Sequence, residues 1–430
     1  MSRSMARASP RCAATTSSGS TPGTLRDIAG NLSPRSRHLS SENNPRRGIF
    51  VKSELQIIGA GLTGLTAAIM AAQLGWQVSL EEAHAQPGGR ARTLGAPYRA
   101  NQGPHAVYID GAFWAWLAAN RLTPPIVAAP PRPSLIHAAG RLTPWPVSLH
   151  RAIHALPSEA PVDRPFREWL IQHVDAEWAE AIIGVAFVFT FDHDPGRLSA
   201  AFVRQGLSRS MAGGARYVVG GWSKLVDLLT DRARDLDIRL RTGSRITALP
   251  AGPTILATSL ASARQLTGDQ ALTWPSSRVA TFDLGLRAPK APNWFRVLDL
   301  DARIYAARYS LADPLLAPPA HELVQISAAC FPGEGKTQVQ NRVGRLLDCA
   351  WPGWRDTVAW RRGVIRANCT GALDLPGTTW RDRPAIDRGN GVFVVTDQSA
   401  APGLLAEVGI NAAERAVAQL GATRSPEFAI

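Results

Sequence analysis

Two clusters near the start of this chain have the residue types and spacing to hold a pyrophosphate. The first is Gly59-Ala60-Gly61-Leu62-Thr63-Gly64, with Glu82 eighteen residues after the last glycine. Gly59 permits a tight turn, Gly61 lets backbone approach a pyrophosphate, and Gly64 allows a helix to pack closely on a sheet. A helix starting there offers unpaired N–H groups and the positive end of its dipole to phosphate. Glu82 can accept hydrogen bonds from a ribose 2′-OH, and a carboxylate at that point disfavours a 2′-phosphate. The second cluster, Gly88-Gly89-Arg90-Ala91-Arg92, begins six residues after Glu82. Its glycines bring backbone near a phosphate, and the Arg90 guanidinium adds a charge-assisted contact.

Glycines alone make only a turn, so the surrounding elements decide the reading. Leu55-Gln56-Ile57-Ile58 is an apolar run suited to a buried parallel strand. Leu62, Leu65, Ile69 and Ala72 recur at helical spacing up to Gly75, a natural helix stop. Trp76–Leu80 then reads as a second strand ending at Glu81 and Glu82. Strand, glycine turn, helix, strand and acid form one βαβ unit, and dinucleotide binding follows from the whole. Of the two acids, one is expected to be a solvated strand-end carboxylate.

Farther on, the chain predicts helices broken by Pro-rich loops from about residue 111 to 211, then a helix and strands over 213–260. The strands are placed at Ile238–Leu240 and Ile255–Ala257, with alternating strands near Val279–Leu286 and His321–Ser327. Val392–Val395 reads as a buried strand turning at Thr396-Asp397, and a closing helix carries Ala406, Ile410, Ala413, Val417 and Leu420.

The spacing from Glu82-Ala83 to Gly88-Gly89-Arg90 resembles the GGR signature of the flavin-containing amine oxidoreductase superfamily. That group includes amine oxidases, protoporphyrinogen oxidase and phytoene-desaturase-like enzymes. The resemblance selects Glu82 over Glu81 and implies that Arg90 contacts the pyrophosphate region of FAD. The segment from Gly391 through Asp397 to Gly409 looks like the family's C-terminal FAD segment, with Thr396 where glycine is usual. It implies that Asp397 meets the ribityl or phosphate region and that backbone near Val408 and Gly409 faces the isoalloxazine. Gln102-Gly103-Pro104-His105-Ala106 resembles the loop that runs beside the flavin, and Gly220-Gly221-Trp222-Ser223-Lys224-Leu225 resembles the helix start before the adenine-side strands. On that pattern Ile246 supplies a backbone contact to adenine.

The resemblance spans residues 54–420 and implies an α/β fold, an FAD-binding Rossmann-like domain interrupted by an α+β substrate domain. The FAD-binding pieces are 53–110, 212–272 and 385–424, and the substrate pieces are 111–211 and 273–384. It also implies hydride transfer from a small molecule to the flavin, the cofactor carrying the hard step. The four lysines, Lys52, Lys224, Lys290 and Lys336, match no amine-oxidase active-site motif. The expected reaction is therefore desaturase- or protoporphyrinogen-oxidase-like on an apolar or polycyclic molecule. Amine or amino-acid oxidation, a non-catalytic flavoprotein and an NAD-only dehydrogenase are the alternatives. His105 is the one ionisable residue the motifs set near the flavin, as a catalytic group or equally as a loop histidine bonded to backbone. Ala367-Asn368-Cys369-Thr370-Gly371 does not match a flavin-tethering motif, so FAD is expected to be non-covalent.

Composition narrows the rest. The 430 residues are 45% hydrophobic and 19% charged, enough for a sizeable core and more than one packed unit. Of the net charge of +13, +7 falls in residues 1–52, with nine basic residues against two acids. The body is only mildly basic, with no aromatic-interleaved basic stripe, so nucleic acid is not an expected partner. The first 52 residues, rich in Ser, Arg, Pro, Thr and Asn, are expected to be a disordered basic tail. A transit peptide and a non-native extension compete there, and the missing amphipathic pattern favours the extension. Ala181–Phe191 is the longest apolar stretch, well short of the ~20 residues a spanning helix needs. It is expected to line a core or an apolar pocket, peripheral membrane contact being left open. Four separated cysteines fit a reducing compartment, and a cytoplasmic location is expected.

Overall fold

Leu55, Ile57 and Leu80 are almost fully excluded from solvent, as expected where a strand carries helices on both faces. The computed structural model describes residues 53–287, 291–368 and 370–422. The basic tail, Lys290 and Cys369 lie outside the described residues. The strand Glu54–Ile58 sits at the centre of a five-stranded sheet, between Thr254–Leu256 and Gln77–Glu81. Val392–Val394 lies outside the former and Arg239–Arg241 outside the latter, and every pairing is parallel. The chain leaves the central strand toward one side and returns on the other. In open α/β sheets ligands bind in the crevice at such a switch point, off the carboxyl ends of the strands. Here that point is Ile58–Gly59.

The helix Leu62–Gln73 begins at Gly61 and ends just before Gly75. It packs against the closing helix Ala406–Ala422 and the helix Ser223–Asp235. Their apolar faces share one core, in which Leu65, Ile69, Leu225, Leu229, Phe393, Ile410 and Val417 are buried. Three separated stretches of chain thus close around a single sheet.

A second sheet has seven strands in the order Val358–Ala367, Arg278–Arg287, His321–Ala329, Ile304–Arg308, Arg296–Asp299, Ser134–Ala138 and Arg141–Pro144. All neighbours are antiparallel except the pair joining Arg296–Asp299 to Ser134–Ala138. Side chains alternate across it. Ala280, Phe282, Leu284 and Leu286 enter a core with Val339, Val343 and Leu347 of the helix Lys336–Ala350. Thr281 and Asp283 face the other way. Ala181–Thr190 falls within the helix Ala176–Thr190, buried in a core with the helices Phe166–Leu170 and Ala200–Met211.

Several expectations change. The hairpin Ser134–Ala138/Arg141–Pro144 lies in a stretch expected to be helical. The helix Ala112–Ala119, assigned from sequence to the substrate piece, buries Phe113 and Leu117 in the core of the parallel-sheet unit. A three-stranded sheet also joins Val107–Tyr108 and Ile126–Val127 to Ala215–Val218, across both expected boundaries. No helix of the described residues is long and apolar enough to cross a membrane.

Candidate functional site

At the carboxyl end of the central strand the glycine loop is held by its own backbone. Gly59 N donates to Glu81 O at 2.7 Å, and Gly59 has φ +102°, a region that L side chains rarely adopt. A Cβ there would come within 2.5 Å of Ala257 O, and one on Gly64 would collide with Gly59 O. A Cβ on Gly61 would meet nothing within 4 Å. Two glycines of the loop thus satisfy packing, while the third leaves an open cradle at the helix N-terminus, where N–H groups point outward. Ala60 N donates to Glu82 Oε2 at 2.9 Å, so the acid at the end of the second strand closes the loop.

Glu82 is 5% exposed, and its Oε1 accepts from His84 N at 2.9 Å with His84 Nδ1 2.7 Å away. A carboxylate has about four lone-pair sites. Three are engaged here, which leaves capacity for one sugar hydroxyl. Glu81 corrects the expectation of a solvated partner acid: it is 1% exposed, lies 3.3 Å from Arg241 Nη1, and its Oε2 has no partner among the described residues. Neither acid is solvated: Glu81 ends the strand paired with Arg239–Arg241, and Glu82 is enclosed by the glycine loop and His84.

The GGR loop docks directly on the glycine loop. Gly88 N donates to Ala60 O at 2.7 Å, Gly61 and Gly88 form a bridge, and Gly89 passes so close that a Cβ on it would lie 3.5 Å from Gly61 Cα. Arg90 Nη1 reaches Asp397 Oδ2 at 2.7 Å. Asp397 follows the strand Val392–Val394. Thr396, standing where the sequence resemblance implies glycine, lies outside the left-handed region; its N–H donates to Ser399 Oγ and its hydroxyl accepts from Gln398 N. Gly409 of the closing helix sits against Thr63, close enough for a Cβ on it to collide with Thr63 Oγ1. Val408 is buried at 2%. Ile246 lies in no strand. It packs beside Ile58, Leu256 and Val392, just after Gly243 and Ser244, whose N–H groups donate to His84 O and Glu82 O.

The loop Asn101–His105 joins this region to the second sheet. His105 Nδ1 lies 2.6 Å from Gly103 O, its ring is 5.1 Å from the Trp222 ring, and its carbonyl accepts from Tyr309 OH at 3.3 Å. Burial pushes the imidazole pKa down to about 4, with the Arg90 and Arg366 charges adding to the fall and the Gly103 carbonyl opposing it. His105 is therefore a neutral imidazole near pH 7, tied through one nitrogen to backbone. Behind it Tyr309, Tyr217 and Phe295 pack edge to face.

Beneath the same loop lies a polar cluster that no motif revealed. Asp283, fully buried, accepts from Arg362 Nε at 2.7 Å and from Gln325 Nε2 at 2.8 Å. Gln325 Nε2 and Arg362 Nη2 both also donate to Asn101 O at 3.0 Å. Burial pushes the Asp283 carboxyl up, against the pull of Arg362. Asn101 Oδ1 in turn accepts from Trp222 N at 3.0 Å, linking the sheet to the helix start after Gly220-Gly221. The one sequence signal for this cluster was an acid inside the apolar run Val279–Leu286.

Residues 57–119 match the family model described as NAD(P)-binding Rossmann-like domain. No curated protein matches the chain. Among solved structures, an oxidoreductase from Methanosarcina mazei superposes with a TM-score of 0.69 at 17% identity, covering 84% of this chain and 99% of its own. Cyclohexylamine oxidase from Brevibacterium oxydans gives 0.65 at 14% identity, covering 87% and 99%. Reduced UDP-galactopyranose mutase gives 0.64 at 14% identity, covering 87% and 97%. At 14–17% identity these likenesses show a shared fold.

Proposed function

We infer that the protein is an FAD-dependent oxidoreductase that takes a hydride from an apolar or polycyclic small molecule. The observation that carries this reading is the meeting of Arg90 and Asp397 beside the open cradle at Gly61. Two segments that share no strand pairing come together where a flavin nucleotide would pass from pyrophosphate to ribityl. The residues fit that group: the Gly61 cradle and helix N-terminus for pyrophosphate, Arg90 beside it, spare Glu82 capacity for ribose, and Asp397 for the ribityl end. When bound, FAD supplies a two-electron acceptor at its ring N5, which the protein lacks.

What the chain's own residues do is position and exclude water. The loop Asn101–His105 is fixed from below by Asp283, Arg362 and Gln325, and from the side by Trp222. His105, neutral and bonded to Gly103, is a spacer or acceptor rather than a cation. Lys336 stands beside Gly363 and Phe282, on the face of the sheet opposite Thr281 and Asp283, so it is not a candidate to face this loop. That placement supports oxidation of carbon–carbon or ring bonds over amine oxidation. Non-covalent retention of FAD belongs to the same reading.

The deciding experiment is to purify the chain, record its visible spectrum, and release the chromophore with acid. A visible flavin absorption band, with FAD in the acid-soluble fraction, is expected. A folded protein that stays colourless after incubation with FAD overturns the reading, and anaerobic bleaching by simple amines would transfer it to amine oxidation.

A further inference from the structure

The sheet face under the loop Asn101–His105 carries two arginines of the strand Val358–Ala367 in different electrostatic states. Arg362 is paired with Asp283, its Nε and Nη2 both reaching Oδ2, at 2.7 and 2.6 Å. Arg366, four residues on and on the same face, is half-buried. Its hydrogen bond runs to a neutral acceptor, Gln102 Oε1, at 2.5 Å. Among the described residues, no carboxylate lies within ion-pair distance of it. A guanidinium stays charged at any physiological pH and carries five N–H donors in a rigid fork. The Asp283 carboxylate feels the Arg366 charge but makes no ion pair with it, so the remaining N–H donors of the fork can take a further anion.

Its surroundings place it beside the loop Asn101–His105. Val279, opposite Arg366 in the sheet, is two residues from Thr281. Thr281 has a buried hydroxyl without a partner among the described residues, and its Cγ2 lies 3.4 Å from the point a Cβ on Gly103 would occupy. His105 feels the charges of both Arg366 and Arg90.

We propose that Arg366, oriented by Gln102, anchors a carboxylate on the substrate, so that an apolar body is held beside the flavin by an acidic tail. The planar fork of arginine matches a carboxylate in two parallel bonds, which fixes orientation as well as charge. This rests on the oxidoreductase reading and narrows it to carboxylated molecules, excluding neutral hydrocarbons and simple amines as best substrates.

The test uses the full chain as purified and two isosteric probes, benzoate and benzamide, titrated by calorimetry. Benzoate is expected to bind saturably and benzamide at least tenfold more weakly. Arg366→Gln is expected to weaken benzoate at least tenfold and leave benzamide unchanged, with Arg366→Lys falling between because it keeps the charge and loses the fork. Gln102→Ala, which leaves the charge in place, is expected to weaken benzoate several-fold, and it decides the matter if the Arg366 variants do not fold. No benzoate uptake by the wild type, equal affinity for the two probes, or undiminished benzoate affinity in the folded variants overturns the proposal. The flavin band of the same samples is read separately. Its absence removes the oxidoreductase reading, while the heats still judge the anion site.

Discussion

Arg90 Nη1 and Asp397 Oδ2 lie 2.7 Å apart although 307 residues separate them in the chain. The contact joins the loop after the second strand to the turn after the last one, the two ends of the unit that surrounds the candidate cofactor site. Asp397 is mostly buried, whereas half of the Arg90 side chain is exposed, so water screens the pair and its share of stability is about 0–1 kcal/mol. Its position points to a ligand-facing role. Arg90→Ala and Asp397→Asn are each expected to shift the apoprotein melting temperature by no more than a few degrees while raising the FAD dissociation constant about tenfold or more. Flavin-to-protein absorbance after gel filtration, read beside thermal unfolding, checks this. A large loss of stability with full flavin retention would make the pair a structural clip instead.

The three glycines of the first loop separate packing from binding. At Gly61 an added side chain meets nothing within 4 Å, so Gly61→Val is expected to fold with near-wild-type stability and to lose the cofactor. At Gly64 a Cβ collides with Gly59 O, a backbone atom that cannot step aside. Gly64→Ala is therefore expected to destabilise the fold by roughly 1–3 kcal/mol or more through overpacking. Thermal melts of the two apoproteins distinguish them. A Gly61→Val protein that purifies fully yellow would show that the pyrophosphate lies elsewhere.

His105 makes stability depend on pH with a definite sign. Its folded pKa is about 4, below the ordinary histidine value of 6.5, because burial disfavours the imidazolium. Between those two values the unfolded chain binds the extra proton and the folded one does not, so stability falls as pH drops from about 6.5 toward 4. The full effect is of order 3 kcal/mol. His105→Asn is expected to flatten the melting-temperature profile across that window, while acidic groups elsewhere still act below it. An unchanged profile would mean that His105 stays hydrated and titrates normally.

The parts that could be read from residues alone are those where backbone chemistry dictates residue type. Gly59, Gly61 and Gly64 are written into the chain because a turn, a cradle and a helix contact leave no room for a side chain, and the flanking apolar runs give the strand–helix–strand order. Asp283, Arg362, Gln325 and Arg366 were not legible as a group. They come from three strands whose adjacency is set by tertiary pairing, and strand alternation fixes only which face each takes. The solvated partner expected for Glu82 failed for a related reason. Glu81 looks like a strand-end acid in isolation, and only the pairing of Gln77–Glu81 with Arg239–Arg241 buries it beside Arg241. The placement of the helix Ala112–Ala119 failed likewise, since nothing local tells which of two cores Phe113 and Leu117 will enter.

The contact between Gly409 and Thr63 tests whether the closing helix must seat tightly on the first helix for the site to form. A Cβ on Gly409 would collide with Thr63 Oγ1 and lie 3.3 Å from Thr63 Cγ2, while the Gly409 backbone itself is helical and carries no left-handed strain. Gly409→Ala is thus expected to act purely through crowding, costing roughly 1–3 kcal/mol and pushing the helix Ala406–Ala422 away from the glycine loop. Thr63→Ala removes both offending atoms, so the double variant should recover most of that loss, with a coupling energy within the ~0.5–3 kcal/mol found for residues in direct contact. Denaturant melts of the four proteins give the cycle, and flavin retention in each gives the functional counterpart. If the double variant is no more stable than Gly409→Ala alone, the crowding lies elsewhere and the two helices are less closely seated than these atoms require.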